Sequence, residues 1–407
     1  MRVLFLSPRQ CWPPQSGAKL REYYLLRALA LECDVEYAYF SEANASAVSP
    51  EDLSFPVSVH AVPKPPMYRP TQLLQGLLGP WPLPVVNYTA PAMQETVRRI
   101  ASGKQFDVIH LDSIHMVRYG AMLQVAGSNA FIVYDWHNIE SEAMQRYGET
   151  VDSLPHRTYA ALTARKLACL ERRILRESAG HVVCSSRERE QLLDIVPSAR
   201  VATIENGVDC AYFARPEDSA ASSSASPHFI YVGSMDYFPN IDAVTHFAQH
   251  VWPAVRKQTP DAKLSIVGAR PVPAVQALSE IPGITVTGTV PDVRPYYHDA
   301  TASIVPLRTG GGTRLKILES MAAGVPVVSS TLGAEGLDVL PEADILIAEP
   351  DDATRWATLL AELATSPPRR EALASNALRL VRERYDWPIL GQKLVRLYRE
   401  WLQKPSR

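Results

Sequence analysis

Between residues 306 and 337 the chain reads PLRTGGGTRLKILESMAAGVPVVSSTLGAEGL, the densest run of chemistry-bearing residues in its 407 positions. Gly310, Gly311 and Gly312 lack a Cβ, so their backbone can approach a ligand closely and turn its N–H groups toward an anion. Thr313 is placed to cap a helix beginning near Arg314, and the amino end of a helix favours negative charge. Arg314 and Lys316 put two cations around Leu315 on that first turn. Glu319 follows about one turn later, where a carboxylate can hold the two vicinal hydroxyls of a ribose. The spacing therefore suits a nucleoside diphosphate. A glycine-rich loop alone is common; Gly-Gly-Gly-Thr, a basic pair, Leu-Glu and then Ala-Gly-Val-Pro-Val-Val is specific.

Other candidates stand where buried strands end. Asp112 and His115 follow FDVIHL (106–111), and His137, Asn138 and Glu140 follow FIVYD (131–135). Gly233 and Ser234 close FIYVGS (229–234), Gly268 and Arg270 end KLSIVGA (263–269), and Val290 to Asp292 follow ITVTG (284–288). Ligands of open parallel sheets gather at the carboxyl ends of strands, so each is a site candidate. A packing histidine or an ordinary turn is the competing reading at each. Asn206-Gly207-Val208-Asp209 is a turn signal in its own right.

The elements that must position these residues alternate. Strands are expected at Val3–Ser7, Asp34–Phe40, Val57–Val62, Phe106–Leu111, Phe131–Asp135 and His181–Ser185, with a helix from Leu20 to about Leu31 after the loop PPQSGAKL. Residues 213–228, FARPEDSAASSSASPH, lose all apolar periodicity and read as a linker. The alternation then restarts through 229–234, 263–269, 284–288, 302–307, 326–330 and 344–349. Strands alternating with helices imply two doubly wound, parallel, Rossmann-like α/β domains. The expected bounds are 1–212, the linker 213–228, 229–385, and a closing helix within 386–407 that no strand follows. Segment 64–93, dense in Pro, Leu and aromatics, reads as a helical excursion, either near an acceptor or membrane or simply covering the core. Residues 156–176 form a basic amphipathic helix with Arg157, Arg165, Lys166, Arg172, Arg173 and Arg176. It is either an ordinary solvated face or an attraction for an anionic bilayer.

Composition narrows the class. The formal net charge is −2 and hydrophobic residues make up 46%, which argues against global nucleic-acid binding and provides for two cores. Five scattered cysteines, none in CxxC spacing, fit a reducing, cytoplasmic compartment and no structural zinc. The amino terminus, MRVLFLSP, is too short a run for a signal peptide, and no stretch approaches the ~20 apolar residues of a membrane span.

The 306–337 segment, PPQSGAKL, the strand ending near His137, IENGVD (204–209), VGSMDYFPN (232–240), VGARP (267–271) and YDW (385–387) together resemble glycosyltransferase family 4. The likeness is to its retaining GT-B members carrying a GGGTRLKILE-type donor motif, and it covers nearly the whole chain. It implies a nucleotide-sugar donor, UDP- or GDP-sugar, on the second domain and an acceptor on the first, whether glycan, lipid-linked or small-molecule. It also implies a last helix that crosses back to the first domain.

By the same resemblance Gly17 faces the donor phosphates and His137 lies beside the transferred sugar. Gly233, Ser234, Arg270 and Val290 line the donor side, and Glu319 is the second acid of the family's Glu-x7-Glu motif. The first acid falls on Gly311. The usual diphosphate cations fall on Ser234 and about Asn240, so Arg314 and Lys316 are the replacements. No Asp-x-Asp motif stands where a metal-dependent transferase would need one, which implies no metal and no cofactor beyond the co-substrate. Retention in the family is understood as attack on the face the diphosphate leaves, with no enzymic base.

Two rivals share the composition. A nucleotide-sugar epimerase needs acids and bases around the sugar carbon, and few stand here beyond His137 and Asp112. A non-catalytic nucleotide-sugar-binding protein fits the departures at Gly311, Ser234 and Asn240. A NAD-dependent dehydrogenase does not fit, because PPQSGAKL is not GxGxxG.

Overall fold

The computed structural model describes residues 1–42, 48–151, 153–216 and 226–403. The chain divides into two compact units: residues 1–206 with 390–407, and residues 207–389.

The first unit is built on seven strands: β1 (Arg2–Ser7), β2 (Asp34–Ser41), β3 (Ser58–Pro63), β4 (Val108–Asp112), β5 (Phe131–Trp136), β6 (Gly180–Val183) and β7 (Val201–Thr203). They lie in the order β3-β2-β1-β4-β5-β6-β7, and every pairing is parallel. A parallel sheet is covered on both faces, which is why β1 and β4 are near-continuous apolar runs and fully buried from Val3 to Ser7 and from Val108 to Asp112. β7 has only three residues and lies at the sheet edge; its VAT gives too short a period to announce a strand.

The second unit repeats the plan with β8 (His228–Val232), β9 (Lys263–Val267), β10 (Ile284–Gly288), β11 (Ala302–Val305), β12 (Val327–Ser329) and β13 (Leu346–Ile347). Their order is β10-β9-β8-β11-β12-β13, again parallel throughout. In both sheets the order reverses beside the unit's first strand, the Rossmann-like topology, with the switch point between β1 and β4 and between β8 and β11.

The domain bounds differ from those read in the sequence. The first unit ends at Asn206, not at 212, because the next residues are tied to the second. Val208 N donates to Tyr385 O (2.8 Å), Trp387 N donates to Val208 O (3.1 Å) and Cys210 N donates to Asp386 Oδ1 (3.1 Å). Most of the expected linker, residues 217–225 of 213–228, lies outside the described residues. The helix Trp387–Gln403 begins on the second unit, and from Leu390 it belongs to the first. There Tyr398 Oη and His110 Nδ1 are hydrogen-bonded at 2.5 Å, the Trp401 ring lies 5.7 Å from that of Phe131, and Lys393 pairs with Glu205 at 2.8 Å. Buried apolar residues at 390, 394, 395, 398 and 401 supply its docking stripe.

Segment 64–93 holds two helices, Pro70–Leu78 and Leu83–Asn87, and the start of a third, Pro91–Ala101; the basic helix runs from Leu154 to Glu177. All five cysteines are free thiols. Among the described residues no helix is long and apolar enough to cross a membrane.

Candidate functional site

At the switch point of the first unit, three strand ends and one helix converge. The helix after β1 is Gly17–Glu32, so Gly17 is its first residue rather than part of a loop. Ser16 caps it, and the helix starts three residues before the expected Leu20. One turn in, Glu22 is wholly buried; its Oε1 accepts from Ser7 Oγ (2.9 Å) and pairs with Arg9 Nε (3.0 Å). From β4, Asp112 is also wholly buried. His137, just past β5, places Nε2 2.7 Å from Asp112 Oδ1.

Glu22 and Asp112 are buried with carboxylate oxygens within 4.8 Å of each other, and neither Glu22 Oε2 nor Asp112 Oδ2 meets a donor, so one proton held by the pair relieves both. Burial and the neighbouring Asp112 charge hold Glu22 well above the usual carboxylate range. Burial would raise Asp112 too, but His137 and the bond from Glu22 hold it below that range. The proton therefore sits on Glu22, Asp112 is the anion, and His137 must donate to it. One ligand atom from each of the three lies within 4.8 Å of the others, a spacing compatible with a cation.

His115 lies beside this group, bonded through Nδ1 to Ser113 Oγ (2.7 Å) and edge-on to Tyr88; burial pushes it down to about 4, so it is neutral. Asn138 is exposed. Burial raises Glu140 above its ordinary value, with Glu171 adding to the effect.

In the second unit, the loop after β11 leads into the helix Leu315–Ala322. Gly310 (φ 121°) and Gly312 (φ 76°) adopt the left-handed backbone that a side chain would resist. The cap position falls on Arg314, not Thr313, and the Arg314 side chain makes no capping hydrogen bond. Arg314 is buried and its guanidinium turns back to donate to the Gly312 carbonyl, bracing the loop. Leu315 packs against the core.

Lys316 reaches across to the end of β8. Its Nζ donates to Tyr231 Oη (2.7 Å) and Asn240 Oδ1 (2.9 Å) and stands 3.9 Å over the Tyr231 ring. Desolvation pushes it down to about 7, with Glu319 opposing and Arg314 assisting. A Cβ on Gly233 would come within 2.9 Å of that nitrogen, so glycine leaves the ammonium its place. On the same helix Glu319 Oε2 accepts from Tyr297 Oη (3.0 Å); burial raises this acid, and the Tyr297 bond and Lys316 partly offset it.

Ser234 and Arg270 meet: Arg270 Nη2 donates to Ser234 Oγ (2.8 Å), and Arg270 Nε pairs with Asp236 Oδ2 (2.5 Å). Arg270 adopts φ 53°, a left-handed conformation that costs energy for a side-chain-bearing residue and clusters at functional sites. A Cβ on Gly268 would lie 1.7 Å from Gly233 O, so the ends of β8 and β9 close up only because 268 is glycine. Val290 packs on the core instead of standing free.

Thus Asp112, His115 and His137 come together in one unit, and Gly233, Lys316 and the glycine loop in the other. Glu22, Arg9, Tyr231 and Tyr297 escape a reading of the sequence. Glu22, Tyr231 and Tyr297 sit inside helices or strands as apparent surface or core positions and Arg9 in the bend just after β1, and only the topology brings them together at strand ends. A charged residue three positions after SGAK was the one available signal for Glu22.

Two Rossmann-like parallel domains in one chain, sharing a last helix that passes from the second to the first, constitute the GT-B architecture. The family model described as Glycosyltransferase Family 4 matches residues 23–212, and that described as Glycosyl transferases group 1 matches residues 226–366. The chain belongs to glycosyltransferase family 4. Its backbone is similar to sucrose-phosphate synthase from Thermosynechococcus elongatus (TM-score 0.72, 19% identity, 99% of both chains). It is also similar to Anabaena HepE solved with UDP (TM-score 0.68, 15% identity, 98% of this chain and 100% of that one). Among curated proteins, it is 22% identical over 248 residues to glycogen synthase of Mycobacterium tuberculosis, covering 58% of this chain and 57% of the relative. It is 30% identical over 219 residues to a GDP-mannose-dependent monoacylated phosphatidylinositol monomannoside mannosyltransferase of Corynebacterium glutamicum, covering 48% and 55%. The chain thus spans a little over half the length of these relatives.

Proposed function

We propose that the chain transfers a sugar, with retention and without a metal, from a nucleotide-sugar to a glycan or lipid-linked acceptor. The observation that carries this reading is the position of Lys316. The positions where the family resemblance puts the diphosphate cations are Ser234, just past β8, and Asn240, in the helix Phe238–His246, and neither carries a charge. The Lys316 ammonium, held 2.9 Å from Asn240 Oδ1, restores a positive charge beside Gly233. Two of its three N–H donors are used by described side chains, leaving one for a phosphate oxygen. The Gly310–Gly312 amides add fixed dipoles, and preorganised charge of this kind is commonly the largest catalytic contribution. Glu319 is assigned the ribose hydroxyls, and the donor is a UDP- or GDP-sugar, as the names of the HepE complex and of the mannosyltransferase suggest.

In the proposed step the C1–O bond to the diphosphate breaks while the acceptor oxygen bonds to C1 on the same face. The acceptor proton passes to the departing phosphate oxygen, so no side chain need remove it. His137, with its proton pinned on Asp112, orients a sugar or acceptor hydroxyl through the rest of its ring and does not act as base.

The test is a panel of UDP-, GDP- and ADP-sugars scored for thermal shift and for slow release of free sugar and nucleotide. One donor is expected to raise the melting temperature and be hydrolysed, and Lys316→Ala is expected to lose both effects. Binding without any release would instead identify a non-catalytic nucleotide-sugar-binding protein, and an epimerised donor would identify an epimerase.

A further inference from the structure

On the helix Pro70–Leu78 the apolar face is on the wrong side for a soluble protein. Leu73, Leu74, Leu77 and Leu78 are all exposed, from 45% at Leu73 to 75% at Leu78, while Gly76 is the buried residue. At 100° per residue the four leucines share one arc of about 140°. Gly76 lies off that arc, facing Leu83, whose Cβ a side chain at 76 would strike at 2.8 Å. Ordinary amphipathic packing would turn the leucines inward; here the helix docks by its glycine edge and offers its leucines outward. Tyr68, just before it, is 62% exposed.

The helix is held in this pose from below. Lys166 Nζ donates to Gly76 O (2.7 Å), Leu77 O (2.7 Å) and Gly79 O (2.8 Å), three carbonyls at the helix's carboxyl end that would otherwise lack partners. All three ammonium protons are spent, so this lysine fixes the platform rather than the charge around it.

The two segments nearest the patch carry charge of one sign, although farther along the long helix Arg173 pairs with Glu177 at 4.0 Å. Between Lys64 and Gln94 the sequence has no Asp or Glu, and none falls between Leu154 and Leu170. Exposed Arg69 stands at the amino end of the leucine helix. At its carboxyl end, exposed Arg165 and Arg173 line one surface depression with Pro80 and Lys166, and Arg173 lies 4.7 Å over the Trp81 ring. Arg157 and Arg172 on the same long helix are also exposed.

We propose that the Pro70–Leu78 helix is a membrane-docking element. Its four leucines enter the interface of an anionic bilayer, and the arginines of its flanks and of the Leu154–Glu177 helix contact the lipid phosphates. A protein partner of acidic surface would meet the arginines but has no need of a leucine arc. An apolar partner would gain nothing from the arginines at 69, 157, 165 and 172. An anionic bilayer uses both, since interfacial binding grows with buried apolar area and with attraction to acidic headgroups. The inference is independent of the proposed chemistry; a protein that moved no sugar at all would still carry it.

The full chain is tested by flotation with vesicles of phosphatidylethanolamine and phosphatidylglycerol against vesicles of phosphatidylcholine alone. Binding is expected to the anionic vesicles only and to weaken with salt. Leu74→Glu with Leu78→Glu, both at exposed positions, should lower binding by at least about tenfold with an unchanged melting temperature. Arg157→Glu with Arg165→Glu should lower it by about fivefold or more per residue. Absence of wild-type flotation, or leucine variants that float like wild type, overturns the proposal. So does a wild-type dimer in light scattering that the leucine variants dissolve without vesicle binding, which assigns the arc to a second copy.

Discussion

Lys316 Nζ and Asn240 Oδ1 stand 2.9 Å apart, so a cation from the start of one helix occupies the strand end that another helix leaves neutral. Its pKa, pushed down to about 7 by desolvation, makes that cation conditional on pH. A diphosphate beside it favours the ammonium and raises the pKa again, so binding above neutrality takes up a proton. Nucleoside diphosphate affinity is expected to fall by up to about tenfold per pH unit above 7, until the pKa of the complex is passed. Calorimetry at pH 8 in two buffers of different ionisation enthalpy should show uptake approaching one proton, absent in Lys316→Met. Equal apparent enthalpies in both buffers would refute the assignment.

The His137–Asp112 bond makes a different prediction. If His137 is oriented by the Asp112 anion, Asp112→Asn should lower turnover by about 10²-fold, the usual effect of a misplaced reacting group. KM for the donor should move little. Glu22 acts one step further out, through its proton on Asp112. Glu22→Gln keeps a donor toward Asp112 and Glu22→Ala does not, so the alanine variant should lose markedly more turnover. Equal losses would reduce Glu22 to packing.

The closing helix is testable through one glycine. A Cβ on Gly180 in β6 would fall 2.4 Å from the Trp401 ring and 3.0 Å from that of Phe131. Gly180→Ala should therefore cost ~1–3 kcal/mol by overpacking. Trp401→Ala should cost ~3–5 kcal/mol. In combination the two should be less than additive, because the smaller residue at 401 relieves the clash. Urea unfolding of the four proteins reads this directly.

His181 supplies a stability test with a defined sign. Burial pushes it down to about 4, so the native state keeps it neutral while the unfolded chain protonates it near 6.5. Its contribution is intact above 6.5 and is lost as pH falls toward 4. Relative to His181→Gln, the wild type should lose ~1.4 kcal/mol per pH unit across that window. Urea midpoints at pH 7 and pH 5 suffice; a difference that stays constant would contradict the assignment.

Local pattern alone carried the alternation of buried strands and helices, the two-domain plan and the glycine loop at 310–312. Apolar runs such as VLFL and FIVYD are forced by burial on both faces of a parallel sheet, and that demand is written residue by residue. β7 was missed because VAT is shorter than any period. The boundary at Asn206 was missed because it depends on backbone bonds from Val208 and Cys210 to residues near 386. Helix capping moved from Thr313 to Arg314 because the guanidinium's bond to Gly312 sets the loop's last turn.

The site's electrostatics belonged to tertiary structure entirely. Glu22, Asp112 and His137 are separated by 90 and 25 positions between neighbours in sequence. Only the parallel alignment of β1, β4 and β5, with the helix that follows β1, buries two acids together so that they hold one proton between them. Likewise Lys316 could be recognised in sequence as a cation, but its lowered pKa arises from desolvation, with Arg314 assisting, once the fold has buried it beside Gly233. Sequence fixes which groups exist; proximity and desolvation, which depend on the whole fold, decide what charge they carry.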